Sequence, residues 1–410
     1  MKRIFFANHC QFEGKYTNLG DWAIFEQMEN LFLPEIQNGN IEIIVPSADV
    51  QYTTDHYHVT AFQRGGFKGI VNTLKWISKS DIVLIGGGEI VQDRSSLVYI
   101  PYLLIRPLIA KLLHKKLFAY AIGVGEKEEI SILGKIQSRI VLNMFDTITV
   151  RDDKSCRILH EYLRVTKPKI YITADPALNL IPKSIFEMNM DKPYFVISVR
   201  SVYHRNGNLL PFSIRKKLGL VPKSYGMEIN KFKSDIARLA VNLIDKYNFR
   251  LKFLNTYTGK QMSASDDAFT ADIISRIPSQ YQSKVDIINA ENTPSETKYV
   301  LGRAQFVISV PLHPLILGAS EGVPVFGIAY ASKNKCFMKQ IGQDKNIYPV
   351  EKIGERLNVE KIISDISLVM SDIENYKIQL SKAVAEAKER EHNNYRLLME
   401  TAGMGGAKRC

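Results

Sequence analysis

"VISVPLHPLILGASEGVPVFGIAY", residues 307–330, reads as an apolar strand, a turn with His313 between Pro311 and Pro314, a helix of small and apolar residues, and a second apolar strand. Strand, helix and strand in that order predict a βαβ unit, with the strands parallel and the helix laid across one face of their sheet. Working upstream, the same alternation recurs. "YFVISVR" (194–200), a long amphipathic helix from Glu228 to Tyr247, "LKFLNT" (251–256), a helix near 266–277 and "VDIINA" (285–290) come first. "TPSETKYVLGRA" (293–304) follows, where Thr293, Pro294 and Glu296 make a helix start with a capping box.

The first half of the chain repeats the theme with "RIFFAN", "IEIIVP", "DIVLIGGG", "KLFAYAIGVG", "DTITVRD" and "KIYITADPAL", separated by helix-length segments such as "LGDWAIFEQMENLFL". Runs rich in β-branched and aromatic residues suit strands buried on both faces. The pattern lapses near "NLIPKSIFEMNMDKP", which marks a domain crossing. The sequence therefore predicts an α/β protein with two doubly wound Rossmann-like domains facing a cleft, over 1–185 and 186–350, followed by a polar helical tail over 351–410.

Composition narrows the function classes. The 410 residues, 45% apolar and 23% charged, suffice for two ordinary cores. A formal charge of +12 draws the chain toward acidic partners, a phosphorylated metabolite or an anionic membrane surface. No arginine-rich arm, zinc spacing or aromatic RNA-binding strand accompanies that charge, so nucleic acid is not an expected partner. Cys10, Cys156, Cys336 and Cys410 are widely spaced and no signal peptide opens the chain, which points to a reduced, cytoplasmic protein. The greasiest stretch, residues 96–125, is interrupted by Pro101, Arg106, Pro107, Lys111, Lys115 and Lys116 and cannot span a bilayer. Lys111, His114, Lys115 and Lys116 beside that greasy helix would suit the inner face of an anionic membrane, and equally a core helix with a solvated end.

In doubly wound folds ligands bind outside the carboxyl ends of the strands. The first strand is followed by "NLGDWAIF", placing Asn18, Gly20 and Asp21 at a helix start, where free N–H groups suit a phosphate or carboxylate and an ordinary helix cap is the simpler reading. Gly86, Gly87 and Gly88 follow the third strand, with Asp93 beyond; the run permits close backbone approach but lacks the lysine of a phosphate loop. Later strand ends supply Arg151, Asp175, Arg200, then His204 and Arg205, and finally His313, Lys333 and Lys335. A histidine beside cations combines a proton carrier with anion binding, against the commoner outcome of a histidine bonded to backbone in the core. Asp55, His56 and His58, and the pair Cys156 and His160, lack the further ligands of a metal site, and no metal is expected.

Taken in order, "NLGDWAI", "GGGEIVQD", "AIGVG", "RDDKS", "ADPAL", "ISVR" and "LHPLILGASEGVPVFGIAYASKN" resemble the polysaccharide pyruvyl transferase family, from about Asn18 to Gly342. The resemblance implies a GT-B-like architecture and transfer of the enolpyruvyl unit of phosphoenolpyruvate to a sugar of a surface-polysaccharide precursor, forming a pyruvate ketal and releasing phosphate. It implies phosphoenolpyruvate as donor substrate with no separate cofactor, and a glycan or lipid-linked oligosaccharide as acceptor. Carried over by motif, His313 is the acid/base catalyst, and Arg200 and Lys333 hold carboxylate and phosphate. Asn18, Gly20, Asp21, Gly87 and Gly88 shape the donor site, with Arg151, Asp175, Arg205 and Lys335 as auxiliaries. The pattern departs at Pro311, where family members commonly carry arginine. Arg200, Arg205, Lys333 or Lys335 then substitutes, or the donor differs, or catalysis is lost. Two rival readings keep the same cleft: a glycosyltransferase using a nucleotide sugar, and a catalytically lapsed scaffold or glycan-binding subunit.

Overall fold

A computed structural model of the chain describes residues 1–8, 18–93, 97–185, 192–200, 218–220, 223–257, 266–288, 292–329, 332–350 and 356–404. The first half runs β1 (Lys2–Phe6), α1 (Leu19–Gln37), β2 (Ile41–Ser47), α2 (Val50–His56), β3 (Thr60–Gln63), α3 (Gly66–Lys79), β4 (Ile82–Gly86), β5 (Glu89–Val91), α4 (Tyr99–Leu112), β6 (Lys116–Val124), α5 (Ile132–Leu142), β7 (Thr147–Val150), α6 (Asp153–Arg157) and β8 (Lys169–Ile172). The second runs β9 (Tyr194–Ser198), α7 (Lys223–Tyr247), β10 (Arg250–Leu254), α8 (Asp266–Ser275), α9 (Ser279–Gln282), β11 (Val285–Ile288), α10 (Pro294–Leu301), β12 (Val307–Ser309), α11 (Leu312–Ser320), β13 (Val325–Ala329), α12 (Ser332–Gln340) and β14 (Ile347–Pro349). Two helices follow, α13 (Val359–Ser371) and α14 (Ile373–Ala402).

The strands form two parallel sheets, ordered β3-β2-β1-β4-β6-β7-β8, with β5 pairing β6, and β11-β10-β9-β12-β13-β14. Each is doubly wound, and in each the order reverses at one place, between β1 and β4 and between β9 and β12. The opening βαβ unit is β12, α11 and β13, with Val307 opposite Val325 and Ser309 opposite Gly327. The capping box is also present: Thr293 Oγ1 accepts from Glu296 N while Glu296 accepts from Thr293 N. Of the predicted domain crossing, residues 186–191 lie outside the described residues; one sheet ends before them and the other begins after.

Burial explains the layering. One apolar cluster packs Ile77 of α3, Ile100 and Leu103 of α4 and Val141 of α5 on one face of the first sheet; another packs Trp22 and Phe25 of α1 on the opposite face. Between the halves, Leu19 and Ala177 meet Leu312, Leu315 and Val325 in a shared cluster. Polar ties cross the same seam, including Leu19 N to Thr256 O at 2.9 Å and Lys154 Nζ to Ser332 Oγ at 3.1 Å. The two sheets thus face each other across a braced cleft.

The residues predicted as a helical tail include α14, whose polar pattern hides a buried stripe. Leu380, Val384 and Ala387 join the cluster between the halves, while Leu397, Leu398 and Met399 reach the first sheet. Asn394 exchanges hydrogen bonds there, accepting from Thr173 Oγ1 at 2.8 Å and donating to Ala174 O at 3.1 Å. No helix among the described residues is long and apolar enough to cross a membrane.

Candidate active site

Both reversals of strand order open onto one cavity of about 200 Å³. Chains leaving β1 and β4 diverge in opposite directions, as do those leaving β9 and β12, so each sheet has a crevice at that point. From the first sheet come Asn18, Gly20 and Asp21 after β1 and Gly87 and Gly88 after β4; from the second come Arg200 after β9 and Pro311, Leu312 and His313 after β12. Arg151 and Lys333 also line the cavity.

The turn after β4 explains its glycines individually. A Cβ at Gly86 would lie 2.3 Å from the Tyr120 carbonyl oxygen, so β4 can approach β6 only with glycine there. Gly87 and Gly88 take φ of +69° and +83°, the left-handed region that side chains disfavour. Asn8 fixes the turn by accepting from Gly86 N at 3.0 Å and donating to Gly86 O at 3.2 Å. Asp93, predicted near this motif, instead accepts from Ser131 N at 2.9 Å and so anchors the residue that caps α5.

His313 sits in the first turn of α11, whose N-cap is Pro311 with φ −62°. Its ring lies flat against the start of α1, so that a Cβ on Gly20 would fall 2.0 Å from Nδ1. Gly20 is therefore the floor on which the imidazole rests. On the other side Nε2 stands 3.8 Å from Asp175 Oδ2, too long for a hydrogen bond, and Nε2 has no hydrogen-bond partner among the described residues. Burial drives the imidazole down to about 4; Asp175 opposes this, while Arg151 and Lys333 add to it. The ring is neutral at pH 7.

Asp21 behaves oppositely. Burial raises its carboxyl above the usual carboxylate range, against the pull of Lys333, Arg200 and Arg151. Asn18 holds it, donating to Asp21 Oδ2 at 3.1 Å while accepting from Gly20 N at 3.1 Å. The starts of α1, α11 and α12 line the cavity, and the positive end of a helix dipole favours negative charge there; at α1, Leu19 N and Gly20 N are already taken by Thr256 O and Asn18 Oδ1.

Arg151 and Asp175 form a buried pair, Nη1 to Oδ2 at 2.9 Å, with both side chains about 5% exposed. Predicted as separate auxiliaries, they are one unit: the guanidinium neutralises the carboxylate that faces His313. Lys335 lies two residues beyond Lys333 on α12, about 200° around the helix, and is exposed outside the cavity lining. Arg205 and His204 lie outside the described residues. His58 accompanies Glu29, 2.9 Å away, and His56 contacts Tyr52 O, so neither reaches the cavity.

Sequence reasoning missed Glu89, Gln92, Tyr99 and Thr256, which also line the cavity. Glu89 stands 3.7 Å from Lys154. Thr256 is fixed by Asp266, which accepts from its N–H and hydroxyl and from Tyr257 N. The signal for Glu89 was its place directly after the glycine run; Tyr99 and Thr256 carried none.

The sequence profile of the polysaccharide pyruvyl transferase family matches residues 18–332. The chain is 21% identical over 317 residues to the amylovoran biosynthesis protein AmsJ of Erwinia amylovora, covering 76% of this chain and 71% of that one. Among solved structures it is similar to S. aureus MnaA in a co-structure with UDP, with a TM-score of 0.63, 12% identity and coverage of 100% and 99% of the two chains. A glycosyltransferase from Rickettsia africae gives a TM-score of 0.58 at 13% identity, covering 98% of each chain. At such identities the structural likeness shows the fold, two Rossmann-like domains of the GT-B type.

Proposed function

Because the chain belongs to the polysaccharide pyruvyl transferase family, we propose that it moves the enolpyruvyl group of phosphoenolpyruvate onto a sugar of a surface-polysaccharide precursor, closing a pyruvate ketal and releasing phosphate. Membership makes it a transferase of polysaccharide biosynthesis; the donor and the ketal are the further step. The observation that carries this reading is the opposed tuning of Asp21 and His313 on one cavity with Arg200 and Lys333. Burial favours the protonated form of the Asp21 carboxyl and the neutral form of the His313 imidazole, which are a proton donor and a proton acceptor on one cavity.

Arg200, Lys333 and the helix starts bind the donor's phosphate and carboxylate. The Asp21 carboxyl gives a proton to the methylene carbon, developing positive charge on the adjacent carbon. A sugar hydroxyl oxygen bonds to that carbon and its proton passes to His313. The carbon–oxygen bond to phosphate breaks, and a second sugar hydroxyl closes the ketal, its proton leaving on the phosphate. The proton on His313 returns through solvent to Asp21. Protons balance: one hydroxyl proton ends on the new methyl group, the other on phosphate.

Size supports a small donor. The cavity bounded by the described residues is about 200 Å³, below the ~300–1,000 Å³ usual for larger ligands. The test is phosphate release from phosphoenolpyruvate with a lipid-linked or model glycoside. Release that requires acceptor and falls by on the order of 10²- to 10⁴-fold in His313→Ala, with the fold intact, is expected. Tight binding of a nucleoside diphosphate without affinity for phosphoenolpyruvate sinks the proposal.

A further inference from the structure

Three helices, α3, α4 and α5, lie side by side on one face of the first sheet, sharing the apolar cluster beneath them. Their outward faces are also apolar. On α3, Phe67, Ile70, Val71 and Leu74 follow helical spacing and are exposed, Phe67 at 81%. On α4, Tyr102, Ile105 and Leu112 do the same. On α5 the outward positions are Ile132, Leu133, Ile136 and Ile140. Single exposed apolar residues are ordinary, but three adjacent helices with two apolar faces each are not.

The charge on these helices identifies what covers them. They contain no Asp or Glu, while α3 carries three lysines and α4 and α5 two cationic residues each. Lys68, Lys75 and Lys79 form one row alongside the apolar row of α3, which is the arrangement of a helix lying in a membrane interface. A second copy of the chain would bring like charges together across such a face.

A second cavity, of about 80 Å³, meets this face. It shares Asp21, Gly87, Ile90 and Tyr99 with the catalytic cavity and runs to Tyr102 and Arg106 of α4, with Arg64 also on its wall. Arg106 stacks on Tyr102, 5.0 Å from the ring centre.

We propose that the outward face of α3, α4 and α5 is a docking surface for an anionic lipid bilayer. Docked there, the chain presents the mouth of the second cavity to a membrane-anchored acceptor. The docking itself does not depend on the donor chemistry proposed above, and its test uses no donor.

The full chain is sedimented with vesicles of phosphatidylcholine, with and without phosphatidylglycerol, at low and high salt. Binding to the anionic vesicles, weakened by salt and weak on the neutral ones, is the expected result. The variant Lys68→Glu/Lys75→Glu/Lys79→Glu lowers vesicle partitioning by on the order of 100-fold or more. Ile70→Ser/Leu74→Ser lowers it as well, with unchanged circular dichroism in both. Equal binding to neutral and anionic vesicles, no binding by the unaltered chain, or full binding by the charge variant overturns the proposal. So does a salt-stable dimer in light scattering that the serine variant dissociates, because the face would then join two copies.

Discussion

Gly20→Ala adds one methyl group and tests whether the floor beneath His313 sets the activity. The added carbon would lie 2.0 Å from Nδ1, 2.3 Å from Cε1 and 2.8 Å from Cγ, whereas ordinary contact begins at 3.4 Å. The ring must therefore withdraw by about 1.4 Å, the difference of those two distances. Helix propensity argues the other way, since alanine in place of glycine favours a helix by roughly 0.5–1 kcal/mol. Overpacking a filled site costs about 1–3 kcal/mol, so the clash outweighs the propensity gain and the variant is less stable by up to about 2.5 kcal/mol. Displacing a catalytic group by about 1 Å costs on the order of 100-fold in rate.

The assay is acceptor-dependent phosphate release, read beside the denaturation midpoint and phosphoenolpyruvate affinity. The decisive comparison is the same substitution made in His313→Ala. With the ring gone the three atoms nearest the added carbon are gone, so Gly20→Ala there should leave the midpoint unchanged or slightly raised and lower activity no further. That non-additivity identifies the contact as the cause. A Gly20→Ala enzyme as active as the parent, or one that loses as much again without the ring, refutes the reasoning.

Arg151→Ala strands the buried Asp175 carboxylate and should cost about 3–5 kcal/mol in denaturant unfolding; a loss under 1 kcal/mol would mean the pair is effectively solvated. Donor binding should take up a proton at Asp21, because an anion raises its already raised carboxyl further. Calorimetry in buffers of different ionisation enthalpy reads this, and uptake that persists in Asp21→Asn/His313→Gln contradicts it. Burial lifts Glu391 on α14 to about 7, so between about 4.5 and 7 the folded chain holds the proton that the unfolded chain releases. Stability then falls as pH rises through that window, by up to about 3 kcal/mol. Glu391→Gln should raise the melting temperature at pH 8 and leave it unchanged at pH 4, where both states are protonated.

Long apolar runs made most strands legible before any coordinates, because a strand buried on both faces needs nothing but such residues. The short strands were not legible. Thr60–Gln63 has no apolar run, Ile347–Pro349 ends in proline, and Glu89–Val91 hides behind three glycines; neighbouring strands hold each in place. Much of the site could be read from strand order alone, since Asp21, Gly87, Arg200 and His313 each follow a strand at a reversal. What could not be read was partnership. Nothing in "VRDDKS" or "TADPAL" announces that Arg151 and Asp175 pair, and only the pairing shows that the Asp175 carboxylate carries its own countercharge. Helical spacing alone would have separated Lys333 from Lys335.

Pro311 acquires a physical meaning in this setting. As N-cap of α11 it fixes the backbone that aims His313, and its carbonyl accepts from Ser309 Oγ at 2.6 Å. It brings no charge to the cavity that it lines. Of the other charged groups nearby, Arg151 is matched by Asp175 and Lys154 by Glu89. Lys333, Arg200 and Arg151 all act on Asp21, and Arg200 acts on Asp266 as well. Protonating Asp21 removes one negative charge from this cavity wall. An incoming phosphate and carboxylate favour that protonated state, which in the proposed reaction is also the state holding the proton consumed. In the proposed reaction donor binding and acid activation are thus one electrostatic event, and an arginine at 311 would loosen the link by supplying charge that needs no proton.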